Sequence, residues 1–313
     1  MTPAGGAAVV RVAVIGCGAI GSLYAGHLAR VPGVEVWAVD PWAEHVDAIR
    51  SRGLRVTGQA DVTAGVHART DGRDVPPCDF GVVATKAGHT RAAVAGAAAA
   101  LADAAVVSVQ NGLGNEDVIA GLVPRVIRGS IVTAGTVIAP GVVRYDAPGD
   151  SWFGPFEPRP AAMSEVAELA RLLTEGGLRT HALQDARGPQ WTKVIFNAAT
   201  SPLAALTGLP VGGVCTDDGL RRQVEQLIAE AVAVCDRAGI VLERPPLEAV
   251  DEAITGAYHH RPSMLQDVLA RRATEIGVLN GGIAAEGQRA GVPTPLHDCM
   301  VALIRGLERS WLA

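Results

Sequence analysis

The stretch Val9-Val10-Arg11-Val12-Ala13-Val14-Ile15-Gly16-Cys17-Gly18-Ala19-Ile20-Gly21 decides the fold. Val10, Val12, Val14 and Ile15 are β-branched and apolar, as a strand buried on both faces requires. Gly16, Gly18 and Gly21 then form G-x-G-x-x-G, ahead of a helix expected over residues 19–30. The first glycine permits a tight turn, the second lets a pyrophosphate approach the backbone, and the third packs helix on strand. The helix start, with Ala19 and Ile20, offers free N–H groups and a positive dipole end to phosphates. With 37 glycines in the chain the pattern alone is weak, and its context carries the weight. A second strand, residues 34–39, ends in Asp40, about 20 residues past the last glycine, where dinucleotide-binding folds place an acid on the ribose. Gly16, Gly18, Ala19, Ile20, Gly21 and Asp40 are therefore candidate cofactor contacts.

The chain has 313 residues, enough for two domains. Its net charge of −5 is spread out with no basic run, which argues against nucleic acid and anionic membrane as partners. Residues 1–8 lack the charged start and apolar core of a signal peptide. The most apolar stretch, residues 92–109, is interrupted by Asp103 and reads as helix running into strand, not as a membrane span. Five cysteines, with no C-x-x-C, fit the reduced thiols of a cytoplasmic protein. No spacing suggests a metal site: His259 and His260 are neighbours, and neighbours on a regular element rarely share a metal.

Strands and helices alternate up to about residue 184. Strands are expected at 54–57, 62–69, 80–84, 105–109, 126–138, 142–145, 152–154 and 179–183. Helices are expected at 41–52, 90–102, near 115 and at 163–175. This alternation predicts a parallel sheet with helices on both faces. From Asp185 onward only helical periodicity is found, over 190–205, 218–238, 246–256, 268–290 and 295–312. The expected organisation is an α/β domain, residues 1–184, followed by an all-α helical domain, residues 185–313. Ligands of such sheets lie at the carboxyl ends of the strands, here on the side facing the second domain.

Asp40, Lys86 and Asn111 stand at that edge. Lys86 follows an apolar strand, and Asn111 precedes Gly112, so each also has an ordinary reading as a solvated strand end or a turn residue. In the helical half, Lys193 and Asn197 are four apart in Trp191-Thr192-Lys193-Val194-Ile195-Phe196-Asn197 and share one helix face. A lysine within an apolar run invites a functional account, although one that snorkels to water needs none. A second cluster runs from Ser263 through Gln266, Asp267, Arg272 and Glu275 to Asn280-Gly281. Spacing alone leaves it open to being a charged helix surface.

Taken in order, G-x-G-A-x-G, T-K-A at 85–87, Q-N-G at 110–112, W-x-K-x-x-x-N at 191–197 and S-M-x-Q-D-x-x-x-x-R-x-T-E-I at 263–276, with N-G at 280–281, resemble the ketopantoate reductase (2-dehydropantoate 2-reductase) family. The resemblance spans nearly the whole chain. It implies a Rossmann-type domain and a helical domain with the active site between them. It also implies hydride transfer from a reduced nicotinamide to a 2-oxo acid, giving an (R)-2-hydroxy acid. Lys193 would then be the general acid and Glu275 the group that orients it. Asn111, Lys193, Asn197, Ser201 and Ser263 match substrate-binding positions, and Lys86 and Asn111 match cofactor positions.

Three positions depart from the family pattern. Asp40 stands where NADPH-using members carry an arginine, and a carboxylate accepts a ribose 2′-OH but repels a phosphate. NAD(H) is therefore the expected cofactor, with NADP(H) the alternative. Ser201 replaces the asparagine often found before Pro202, and Gly277 replaces the usual aspartate after Glu275. Both loosen the expectation of ketopantoate and leave room for another bulky 2-oxo acid, as in the mandelate-type dehydrogenases. A dinucleotide binder without turnover is the rival from another class, but it would need neither Lys193 nor Glu275. The expected partner is a small 2-oxo acid, and the apolar helices after Asp218 leave surface for a homodimer.

Overall fold

The computed structural model describes residues 9–311. The reading of residues 1–8 as leaderless, and the last residue of the helix expected to reach 312, lie outside that range. Contacts divide the chain into two units: residues 1–110 with 115–186, and residues 111–114 with 187–313. The expected border at 184 did not include the return of residues 111–114 to the helical unit.

The first unit runs β1 (Val10–Ile15), α1 (Ala19–Leu28), β2 (Val34–Val39), α2 (Ala43–Arg52), β3 (Leu54–Gly58), β4 (Val62–Ala64), β5 (His67–Arg69), β6 (Phe80–Val83), α3 (Thr90–Gly96), α4 (Ala98–Leu101), β7 (Ala105–Ser108), α5 (Asn115–Ala120), β8 (Arg125–Ile131), β9 (Ala134–Ala139), β10 (Val142–Ala147), β11 (Ser151–Pro155), α6 (Met163–Gly176) and β12 (Thr180–Ala182). Its main sheet has the order β12-β11-β8-β7-β6-β1-β2-β5. Every pairing in it is parallel except β8 with β11. β1 lies between β2 and β6, with Val10 opposite Val34 and Val12 opposite Phe80. The order of crossovers reverses there, which is where such sheets bind ligands.

A second sheet, β4-β3-β10-β9, was not foreseen. Two expected strands proved to be pairs. Residues 62–69 split at Gly65, sending β4 to the second sheet and β5 to the edge of the first. Residues 126–138 split at Val132 and Thr133, whose N–H and hydroxyl are taken by the Asp150 and Gly149 carbonyls. β8 and β9 therefore serve different sheets. The second sheet also explains why α1 is buried over all of residues 21–28, with Ser22 and His27 its only strongly polar side chains. Its Leu23 and Tyr24 share one core with Val12 and Val14 of the first sheet and Val56 and Val143 of the second. A Cβ on Gly26 would stand 2.7 Å from Val56, so glycine sets the approach of that layer.

The second unit comprises α7 (Arg187–Thr207), α8 (Val211–Thr216), α9 (Asp218–Arg237), α10 (Pro246–Gly256), α11 (Ser263–Leu269), α12 (Asn280–Ala290) and α13 (Pro295–Ser310). Three apolar stripes, carrying Ile195 and Ala198 of α7, Leu227 and Ala231 of α9 and Ile304 of α13, close one core. α8 was not anticipated. The helix expected over residues 268–290 is broken: α11 ends at Leu269, and α12 begins only at Asn280. Arg271 sits at φ +50°, and the Arg272 N–H turns back to the Asp267 carbonyl. The Arg272 guanidinium is 3.1 Å from the buried Asp267 carboxylate, and the Thr274 N–H is taken by Glu308. Donors satisfied this way cannot feed a helical ladder.

Pro202 lies inside α7 and cannot donate to the Ala198 carbonyl. The fully buried Asn280 side chain does so instead, at 2.9 Å. The same amide nitrogen lies 3.1 Å from His297 Nδ1, and His297 Nε2 lies 3.0 Å from the Leu227 carbonyl. One side-chain chain thus ties α7, α12, α13 and α9 together. Among the described residues no helix is long and apolar enough to cross a membrane, and no cluster of His, Cys, Asp or Glu could hold a metal.

Candidate active site

In the first unit the predicted cofactor residues gather around the end of β1. Gly16 takes φ +91°, and a Cβ on it would stand 2.8 Å from the Thr85 nitrogen, so the turns after β1 and β6 touch. A Cβ on Gly21 would stand 1.7 Å from the Gly16 carbonyl oxygen. Gly21 is thus required by the protein's own packing. Gly18 is different: it is exposed, and a Cβ there would meet nothing within 4 Å. Its bareness leaves room for a ligand, as a pyrophosphate at the start of α1, with Ala19 and Ile20 behind it, requires.

Asp40 reaches this loop directly. Its Oδ2 accepts the Cys17 N–H at 2.8 Å, and its Oδ1 accepts the Trp42 N–H at 2.9 Å. Lys86 is exposed at the head of a short 3-10 turn, residues 87–89, just past β6. Sequence reasoning missed Gln110. Its buried amide donates to the Thr85 carbonyl at 2.8 Å and to the Thr90 hydroxyl at 2.7 Å, locking the turn that carries Lys86.

In the second unit three predicted residues meet. Lys193 Nζ donates to Asn111 Oδ1 at 2.8 Å, and Asn111 Nδ2 donates to Glu275 Oε2 at 3.3 Å. The amide faces the ammonium with its oxygen and the carboxylate with its nitrogen. Asn111 is held by the segment after it: Gly112 takes φ +86°, the Leu113 N–H donates to the Val278 carbonyl at 2.8 Å, and Leu113 enters the helical core. A Cβ on Gly112 would stand 2.4 Å from the Val278 carbonyl oxygen. Glu275 rides the irregular segment between α11 and α12, where its own carbonyl accepts from the Val278 and Leu279 N–H groups. Burial of the Lys193 ammonium pulls it from 10.5 down to about 8, while Glu275 acts in the opposite direction. At neutral pH the amine is still protonated, yet close to release.

Asn197 lies one turn along the same face of α7, half-buried, and Ser201 lies one turn beyond it, buried before Pro202. Ser263 is the exposed first residue of α11. Two hydrogen bonds gather Lys193, Asn111 and Glu275. An amine, an amide and a carboxylate so disposed can hold a carbonyl oxygen and deliver a proton to it.

Comparison with known proteins shows the family. A family model described as ketopantoate reductase PanE/ApbA matches residues 12–158, and the model of its C-terminal part matches residues 185–308. The 2-dehydropantoate 2-reductase of Pyrococcus horikoshii is 31% identical over 96% of this chain and 98% of its own. That of Archaeoglobus fulgidus is 29% identical over the same shares. Among solved structures, a PanE/ApbA family ketopantoate reductase from Ralstonia eutropha is 30% identical, with a TM-score of 0.87 over 97% of this chain and all of that one. D-mandelate dehydrogenase bound to NADH and anilino(oxo)acetate is 25% identical, with the same TM-score and the same coverage. The chain belongs to the ketopantoate reductase family. It is an oxidoreductase of the CH–OH class, from a family that depends on a nicotinamide dinucleotide.

Proposed function

We propose that this protein reduces a 2-oxo acid, ketopantoate foremost, to the (R)-2-hydroxy acid, with Lys193 as general acid. The observation that carries the reading is the Lys193–Asn111–Glu275 chain, with a buried amine drawn down to about 8. A general acid works best when its pKa lies near the working pH. A reduced nicotinamide held at the glycine loop would supply the hydride. Lys193 hydrogen-bonds the carbonyl oxygen, stabilises the charge that develops there, and gives it a proton. The neutral amine left behind regains a proton from solvent. Asn111 aims the ammonium, and Glu275 favours its charged form. Asn197, Ser201 and Ser263 are assigned to the substrate, and Gly16, Gly18, Ala19, Ile20, Gly21, Asp40, Lys86 and Asn111 to the cofactor.

NADH is the proposed coenzyme. Asp40, fixed by two backbone N–H groups, presents a carboxylate that accepts a ribose hydroxyl and repels a 2′-phosphate. Asp40, together with the short Ser201 in the substrate helix, also favours a second reading: a mandelate-type dehydrogenase acting on an aromatic 2-oxo acid. A panel of 2-oxo acids, including ketopantoate and benzoylformate, assayed with NADH and NADPH by absorbance, separates the two. Turnover on no 2-oxo acid would refute both. Lys193→Ala should lower kcat by roughly 10²-fold or more; turnover near the wild-type rate would remove Lys193 from the chemistry.

A further inference from the structure

Behind the glycine loop lies a buried chain of side chains that the proposed reaction does not use. Ser22 Oγ, on the first turn of α1, donates to the Cys17 carbonyl at 2.8 Å. His45 Nε2 stands 3.3 Å from the same Oγ, and His45 Nδ1 accepts the Gly141 N–H at 3.1 Å. The Gly141 bond fixes the tautomer: Nδ1 is the acceptor, so Nε2 carries the proton and donates to Ser22. Both side chains are fully buried. Trp42, two residues past Asp40, stacks on the imidazole with ring centroids 5.0 Å apart.

Cys17 is thereby held on both sides, its N–H by Asp40 and its C=O by Ser22. A trans peptide is planar, with its C=O and N–H antiparallel. Drawing the Cys17 carbonyl inward to Ser22 therefore turns the Gly18 N–H outward, on the exposed side where a Cβ would meet nothing. We propose that Ser22 and His45 are positioning residues for the dinucleotide, fixing the Cys17–Gly18 peptide plane so that the Gly18 N–H faces the pyrophosphate. The proposal rests on a nicotinamide dinucleotide binding at this loop.

The test is direct binding, read by NADH fluorescence without substrate and by competition with ADP-ribose and with adenosine. Ser22→Ala should weaken NADH and ADP-ribose about tenfold, the scale of one hydrogen bond to a charged group lost from alignment. Adenosine, which has no pyrophosphate, should be unaffected. His45→Gln keeps a donor and an acceptor and should bind NADH within threefold of wild type. His45→Leu should lose as much as Ser22→Ala. Leu169→Ala, a cavity in α6 that removes no hydrogen bond to the loop, should lower the melting temperature without changing NADH affinity. Wild-type NADH affinity in a folded Ser22→Ala protein, or an equal loss of adenosine, would overturn the proposal. If Ser22→Ala does not fold, the His45→Gln and His45→Leu pair decides in the same way. Failure of the wild type to bind either NADH or NADPH would overturn the functional reading as well, a result distinct from the others.

Discussion

Replacing Lys193 with methionine should change how stability depends on pH, by an amount the structure sets. In the unfolded chain the amine titrates at its ordinary 10.5, and in the folded protein burial brings it to about 8. Between those values the unfolded state holds a proton that the folded state has released, so stability rises with pH through that window. Below about pH 8 both states are protonated and the folded protein carries the full cost of the buried charge. That cost is about 3 kcal/mol, from 1.36 kcal/mol for each factor of ten in proton affinity. The methionine variant lacks this dependence. The wild type should therefore gain about 3 kcal/mol on Lys193→Met between pH 7 and pH 10.5. Constant offsets, such as the lost bond to Asn111, cancel in that difference. Urea unfolding of both proteins at four or five pH values measures it. The alkaline limb of wild-type kcat/KM, which reports the free enzyme, should fall near the same pH 8. A stability gap constant with pH would show that the amine is well solvated and would undo the argument for a tuned general acid.

The two glycines of the loop should separate cleanly. Gly18→Ala meets nothing within 4 Å, so its melting temperature should stay within a degree or two of wild type while NADH binding weakens. Gly21→Ala drives a methyl into the Gly16 carbonyl and should lower the melting temperature by calorimetry. Asn280→Ala leaves the Ala198 carbonyl and His297 Nδ1 buried without their donor and should cost about 2–4 kcal/mol in urea unfolding, from two unsatisfied groups. In the Glu275→Gln variant the charge that holds the Lys193 proton is gone, and the alkaline limb of kcat/KM should move to lower pH.

The α/β unit was legible because its signals are local. β-branched runs, the glycine turn and the acid ending β2 each occupy a few consecutive residues, and short-range sterics fix what they do. The second sheet was not, because β3, β4, β9 and β10 carry the same alternating pattern wherever they pair. Nothing in residues 126–138 announces that the chain changes sheets at Val132. That choice is made by the Asp150 and Gly149 carbonyls, which lie beyond the intervening hairpin. The break after Leu269 was hidden for a similar reason. Helical spacing of apolar residues continues past it, and the positive φ at Arg271 together with the distant acceptor Glu308 overrides that pattern. Pro202 did carry a signal. A proline within a helix leaves one carbonyl without a donor, and Asn280 is the residue that answers it.

The site illustrates the division more sharply. Lys193 could be suspected from its apolar neighbours, but its partners lie 82 residues away at Asn111 and, through Asn111, a further 164 residues on at Glu275. Read along the chain, Asn111-Gly112 is a turn at the end of a strand. In the fold it is the start of a four-residue segment that leaves the sheet's unit and joins the helical core through Leu113. A glycine at 112 is what allows that excursion, since φ +86° and a backbone contact with Val278 exclude a side chain. The amide that aims the lysine is therefore delivered by chain connectivity from one unit and held by the packing of the other. Loosening Leu113 should disturb Lys193 without touching it. Leu113→Ala should lower kcat by more than it weakens NADH, which the glycine loop still holds, and an unchanged kcat in the folded variant would show that the segment does not position the lysine.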